Sequence, residues 1–151
     1  EYLPRAYSDG TDLEARSHMM SAAAMGATAF QKGLGAIHAL SHPIGAIYHT
    51  HHGTTNAVCM PAVLQFNKPA IKDTLAEAAN YLGISGGFVG FCKFVDELND
   101  SLAIPKSLAG LGIDNPDIDR IVSGALIDPS TGGNPIKMTE ENTRKLIIEI
   151  S

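Results

Sequence analysis

The chain has no tryptophan, little charge and only two cysteines among its 151 residues. Lys and Arg together number 11 against 16 Asp and Glu, which gives a net charge of -5, and no basic cluster is longer than two residues. Nucleic acids and anionic membranes are bound by concentrated positive charge. We therefore expect neither a nucleic-acid partner nor a membrane partner.

Long apolar runs are missing as well. No stretch approaches the roughly 18 apolar residues of a membrane-spanning helix, and the opening EYLPRAYSDG has neither the basic nor the apolar part of an export signal. Cys59 and Cys92 lie in apolar runs without a CxxC partner, a pattern typical of reduced, buried thiols. These features predict a soluble, cytoplasmic protein. The missing initiator Met indicates a piece of a longer chain.

Helical patterns cover most of the sequence. The apolar share of 44% is enough for one sizeable core without disulfides. Thr11 and Glu14 stand at capping-box spacing before a run of strong helix formers, which predicts a helix capped by Thr11. No alternating strand pattern and no internal repeat occur. We therefore predict a single all-α domain over residues 1–151 with about seven to eight helices.

Prolines and polar caps predict several helix boundaries. Pro43 predicts a kink or a stop in a helix within residues 33–48, because proline lacks the backbone N–H that a helix interior needs. Pro69 predicts the first residue of a separate helix, and Thr139 predicts the N-cap of the last one. Two short helices are predicted within residues 104–112 and 115–126, and a loop is predicted over residues 127–137.

Five of the six histidines lie between residues 38 and 52. His38 and His42 are four residues apart, so a helix directs both rings from one face. A continuous helix would place His52 about 21 Å from His38. The two can share one site only if the chain turns back, and Pro43 and the glycines near it supply possible breaks.

The residues alone leave two interpretations of this cluster open. Buried imidazoles need partners, and either hydrogen bonds within a core or a metal ion would supply them. Two histidines are too few for a tight zinc or iron site, which normally takes three or four protein ligands. The sixth histidine, His18, lies at a surface-like helix position, where we expect a solvated side chain.

Residues 33–58, GLGAIHALSHPIGAIYHTHHGTTNAV, resemble the long glycine-and-histidine signature of the iron-containing (group III) alcohol dehydrogenases. Four other segments resemble the C-terminal half of that family in the same order, so the resemblance covers essentially the whole chain. It implies the helical C-terminal domain of the dehydroquinate synthase-like fold, without the N-terminal Rossmann-like nucleotide-binding domain. The four segments are LPRAYSDGTDLEAR, MPAVLQFN, IPKSLAGLGI and DPSTGGNPIKMTEE.

The resemblance also implies roles for the histidines. It makes His38 and His52 two metal ligands, and the family's other two, an Asp and a His, come from a helix that precedes this region. His42 matches a histidine beside the metal that is not a ligand. We expect it to relay a proton or to orient the substrate, because an ordinary imidazole pKa near 6.5 suits proton exchange. His51 replaces a common family proline, so we expect His49 and His51 to be loop or pocket-rim residues.

The implied reaction is reversible hydride transfer between an alcohol and NAD or NADP, with Fe2+ or Zn2+ polarising the substrate oxygen. The missing N-terminal domain would bind most of the nucleotide, and a small alcohol or aldehyde would be the substrate. We expect a homo-oligomer in the complete protein and no dehydrogenase activity from this fragment alone.

Two alternatives belong to other classes. One is an independent helical metal-binding or interaction module, in which His49 or His51 completes a site. The other is a metal-dependent lyase of the dehydroquinate synthase type. The segment DPSTGGNP and the glycine-and-histidine signature favour the dehydrogenase.

Overall fold

The computed structural model describes residues 1–151 and contains helices without strands. The predicted all-α class is therefore confirmed, with seven α-helices and three short 3-10 turns. Contacts between Cα atoms divide the chain into two compact units, Glu1–Gly33 and Leu34–Ser151. The α-helices are α1 (Tyr2–Ser8), α2 (Leu13–Ala29), α3 (Ala36–Tyr48), α4 (His52–Tyr81), α5 (Gly87–Ser101), α6 (Ile118–Ile127) and α7 (Glu140–Ile150).

The first unit consists of α1 and α2. Asp12, not Thr11, is the N-cap of α2, because its Oδ1 accepts a hydrogen bond from the N–H of Ala15 at 3.0 Å. The predicted Thr11 cap is wrong. The Thr11 hydroxyl instead donates to Asp9 Oδ1 at 2.7 Å, and this local turn places Asp12 at the helix start.

The second unit holds the main core. Helix α3 packs against α4 and α6, α7 packs against α4 and α6, and α5 covers another side of α4. Their facing sides bury aliphatic side chains, and this burial is the main stabilising contribution to such a bundle. The largest fully buried aliphatic residues are Leu40, Ile44, Leu108, Ile121 and Ile147.

Pro43 does not end its helix. Helix α3 continues for five residues beyond it and stops at His49, which has the left-handed φ of 57°. Of the predicted kink or stop, the stop at Pro43 is wrong, whereas the kink stays a prediction. Packing outweighs the local rule for the stop: Pro43 is buried, and a Cβ added to Gly124 of α6 would lie only 2.7 Å from Pro43 Cβ. The close approach of α3 and α6 thus depends on a glycine opposite the proline.

Two other predicted boundaries also differ. Pro69 lies inside the 30-residue helix α4, so the predicted separate helix from Pro69 is wrong. Residues 104–112 form only the 3-10 turn Ala109–Leu111, because the Leu108 N–H bonds the carbonyl of Ile150 at 2.7 Å rather than an earlier residue of its own segment. The helix within 115–126 and the Thr139 cap are confirmed.

None of the helices combines the length and the apolar character needed to cross a bilayer. Both cysteines are free thiols, as expected; Cys59 is fully buried and Cys92 is half-buried. Burial raises the pKa of the Cys59 thiol to about 12.

Candidate functional site

The chain reverses direction between α3 and α4 within three residues. His49 takes the left-handed conformation that ends α3, and His51 is the N-cap of α4. The His51 Nδ1 accepts a hydrogen bond from the N–H of Thr54 at 3.3 Å, and the hydroxyls of Thr50 and Thr55 are 2.7 Å apart. This turn makes α3 and α4 a helical hairpin whose first α4 residue, His52, lies back along α3.

Three imidazoles therefore meet beside the hairpin. The ring centroid of His38 is 5.5 Å from that of His42 and 5.2 Å from that of His52, and the His42 and His52 rings are 5.4 Å apart. The predicted approach of His38 and His52 is confirmed. His51 is outside the trio because its ring caps α4, and His49 is exposed at the turn.

Asn56 joins two of these rings. It lies one turn after His52 on α4, and its Nδ2 is 3.1 Å from the Nε2 of His52 and 3.3 Å from the Nε2 of His38. An amide N–H only donates, so with the Asn56 nitrogen facing them the two Nε2 atoms are the acceptors. Two imidazole nitrogens thus direct their lone pairs at one point, which is the arrangement that a metal ion requires of its histidine ligands.

The surroundings favour a neutral His38. Burial lowers its pKa, and the neighbouring imidazoles of His52 and His42 lower it further, against a smaller opposite effect of Asp128. A neutral ring is the form that binds a metal. The residues present therefore fit a divalent cation at the two Nε2 atoms.

His42 has a different partner. Its Nδ1 is 2.8 Å from Oδ2 of Asp128, which follows α6 and is only 11% exposed. Burial alone would raise the pKa of Asp128, but hydrogen bonds from the Ser130 N–H, from His42 and from the Ser130 hydroxyl together lower it. The ionised carboxylate only accepts, so His42 carries its proton on Nδ1 and turns Nε2 away from Asp128.

The loop that carries Asp128 is fixed by a second amide. Asn134 accepts from the Ala36 N–H at 3.0 Å and donates to the Ile136 carbonyl at 2.7 Å. It also exchanges two hydrogen bonds of 2.8 Å with the buried amide of Asn67 on α4. The start of α3, the middle of α4 and the loop are thereby tied together, and these segments position His42 and Asp128.

No group of three or more His, Cys, Asp or Glu side chains is arranged to hold a metal ion. Glu14 and His18 have the spacing of a carboxylate–histidine pair on one helix. However, Glu14 Oε2 is 2.7 Å from Arg5, and the exposed His18 ring stacks on Tyr2 at 3.8 Å between centroids. The expected solvated state of His18 agrees with this position.

Sequence reasoning missed Asn56 and Asp128. Asn56 stands four residues after His52 and so shares its helix face, a spacing that could have drawn attention to it. Asp128 is 86 residues from His42, and no local pattern links them.

Comparison with known proteins assigns this chain to a family. Residues 1–150 match the model of the Fe-containing alcohol dehydrogenase family, C-terminal. The chain therefore belongs to that family and corresponds to its C-terminal domain.

Named relatives and a solved structure agree. The chain is 37% identical to 4-hydroxybutyrate dehydrogenase of Cupriavidus necator over 97% of its own length and 40% of the relative. It is 34% identical to the NAD-dependent methanol dehydrogenase of Bacillus methanolicus, over 97% of its length and 41% of that protein. A crystal structure of 1,3-propanediol oxidoreductase superposes with a TM-score of 0.92 at 28% identity, covering 99% of this chain and 41% of that one. The chain thus spans about two fifths of the length of these proteins.

Proposed function

We propose that this chain is the metal-bearing C-terminal part of an NAD(P)-dependent alcohol dehydrogenase, a conclusion supported above all by the convergence of the His38 and His52 Nε2 atoms. Ligands from outside this chain would complete the coordination. An N-terminal Rossmann-like domain would bind most of the NAD or NADP. Alone, the 151-residue chain would not oxidise alcohols.

His38 and His52 would hold Fe2+ or Zn2+ in this site. When bound, such an ion would supply Lewis-acid chemistry that lowers the pKa of the alcohol, and bound NAD or NADP would supply the hydride acceptor. Two neutral imidazoles would add no negative charge to that ion. A small primary alcohol or its aldehyde is the proposed substrate, since 4-hydroxybutyrate, methanol and 1,3-propanediol appear in the names of the similar proteins.

His42 would relay a proton or orient the substrate. Its Nδ1 is held by Asp128, so Nε2 faces away from that carboxylate as an acceptor. The His42 ring lies beside both proposed ligands, within 5.5 Å between centroids. The exchange of the alcohol proton would therefore take place at His42 Nε2. Asp128 would hold the ring and stabilise its positive charge after proton uptake.

The experiment uses the complete polypeptide that contains this segment. Its metal content is measured together with NAD- and NADP-linked oxidation of a panel of primary alcohols. We expect His38→Ala and His52→Ala each to lose most of the bound metal and the activity. His18→Ala, which changes an exposed histidine, is the matched control and should keep both. Full metal content in the His38→Ala and His52→Ala double variant would refute the ligand assignment.

A second variant tests His42 separately. His42→Ala should retain the metal but lower kcat by about 100-fold or more, the usual contribution of a positioned acid–base group. An unchanged kcat would remove His42 from the mechanism while leaving the metal assignment intact.

A further inference from the structure

The side-chain amide of Asn56 occupies the point at which the two proposed metal ligands converge. Its Nδ2 lies 3.1 Å from the Nε2 of His52 and 3.3 Å from the Nε2 of His38. One amide nitrogen carries two hydrogens, so it can satisfy both rings at once. The two rings come from different helices, α3 and α4, and the Asn56 amide is within hydrogen-bond distance of both rings.

The other end of the same amide shows which orientation the site imposes. Asn56 Oδ1 is buried and has no hydrogen-bond donor. An unpaired buried carbonyl oxygen costs free energy, so an asparagine normally turns its oxygen toward a donor. Turning it here would direct oxygen at two ring nitrogens and would require both to carry protons. With its nitrogen directed at the rings, the amide makes both Nε2 atoms acceptors and leaves its own oxygen without a partner.

We propose that Asn56 is a positioning residue, which holds the Nε2 atoms of His38 and His52 on one point in the same tautomer until a cation replaces its amide nitrogen. This inference rests on the proposed function, because it takes those two atoms to be the metal ligands. With the proton fixed on Nδ1 in both rings, the lone pairs that a divalent cation needs are already directed correctly. Binding of a cation would then exchange two amide hydrogen bonds for two metal–nitrogen bonds and would require no change of tautomer.

The first test needs no metal. Nitrogen-15 NMR of the imidazoles in the metal-free 151-residue chain reports which ring nitrogen is protonated. We expect Nδ1–H in both His38 and His52. Asn56→Ala should give a mixture of tautomers in at least one ring, because its donor is gone. Asn80→Ala, on the exposed side of the same helix, is the control and should change neither ring.

A second variant reverses the hydrogen-bonding role of the residue. Asn56→Asp replaces a donor by a carboxylate acceptor, so at least one of the two rings should move its proton to Nε2. Asn80→Asp, on the exposed side of the same helix, is the control and should leave the tautomers of both rings as in the parent.

The outcomes separate the possible failures. An Nε2–H tautomer in both rings of the parent chain, or unchanged tautomers in both Asn56 variants, would overturn the role of Asn56. Far-UV circular dichroism identifies a variant that does not fold. The nitrogen-15 spectra of the parent chain and of the other Asn56 variant then test the role of Asn56. Failure of the proposed function is a different result. It would be full metal content in the complete polypeptide after both His38 and His52 are replaced by Ala.

Discussion

The reciprocal amide pair of Asn67 and Asn134 gives a stability prediction that follows directly from counted hydrogen bonds. Asn134 makes four: two with Asn67, one from the Ala36 N–H and one to the Ile136 carbonyl. At about 1 kcal/mol for each neutral hydrogen bond, Asn134→Ala should lower the free energy of unfolding by about 4 kcal/mol. Asn67→Ala removes only the two shared bonds and should cost about 2 kcal/mol.

The double variant distinguishes this account from a general packing effect. The two shared bonds are lost only once, so Asn67→Ala with Asn134→Ala should cost about 4 kcal/mol rather than the sum of about 6 kcal/mol. Urea unfolding followed by circular dichroism measures all three values, and equal slopes against urea show that they are comparable. Asn80→Ala, an exposed asparagine of α4, should change stability by less than about 0.5 kcal/mol. Strictly additive costs would show that the two amides do not bond each other.

Three further predictions concern the same unit of the fold. A Cβ at Gly133 would overlap the carbonyl oxygen of Leu34, whereas one at Gly132 would meet nothing within 4 Å. Gly133→Ala should therefore lower the free energy of unfolding, measured in urea, by about 1 to 3 kcal/mol, and Gly132→Ala should leave it unchanged. Folding lowers the pKa of Asp128, so the ionised carboxylate stabilises the folded chain. This stabilisation is fully present above the unfolded pKa near 3.9 and is lost as the pH falls through the lowered pKa of the folded chain. The stability difference between the parent and Asp128→Asn, measured by urea unfolding across pH, should be largest near neutrality and should narrow below about pH 4; a difference that grows in acid would contradict the assignment. Cys59, with its buried thiol and a pKa raised to about 12, should react with a disulfide reagent at pH 8 only at the rate of unfolding, and rapid labelling of the native chain would refute its burial.

The sequence predicts the presence of helices here better than their boundaries. Apolar periodicity and strong helix formers depend on local sequence, and the all-α class follows from them. The effect of a proline, in contrast, depends on what lies opposite it. Helix α3 continues through Pro43, which packs against Gly124 from a helix some 80 residues away. Packing of this kind is invisible to any local rule, which is why the stop offered as one outcome at Pro43 is wrong. The expected start at Pro69 is also wrong, because α4 continues through that residue.

Part of the candidate site could likewise be predicted from the sequence, and part of it could not. The approach of His38 and His52 could be predicted because the family resemblance makes both of them metal ligands, and their spacing then requires a turn between them. The position of Asn56 beside the His52 ring could also have been predicted, since Asn56 follows His52 by one turn of α4. It was missed because an amide is not among the usual metal ligands. The whole 3-D arrangement was needed to show that its nitrogen lies between two imidazoles.

The pairing of His42 with Asp128 belongs to the tertiary fold. The carboxylate comes from the loop after α6, and that loop is fixed by Asn134 against α3 and α4. A peptide restricted to the α3–α4 hairpin would contain His38, His52 and Asn56, but it would leave His42 without its carboxylate. The proposed metal ligands are thus positioned by a local turn, whereas the proposed proton-transfer residue depends on contacts formed across the complete helical unit. Substitutions that loosen the loop should therefore affect His42 before they affect the convergence of His38 and His52.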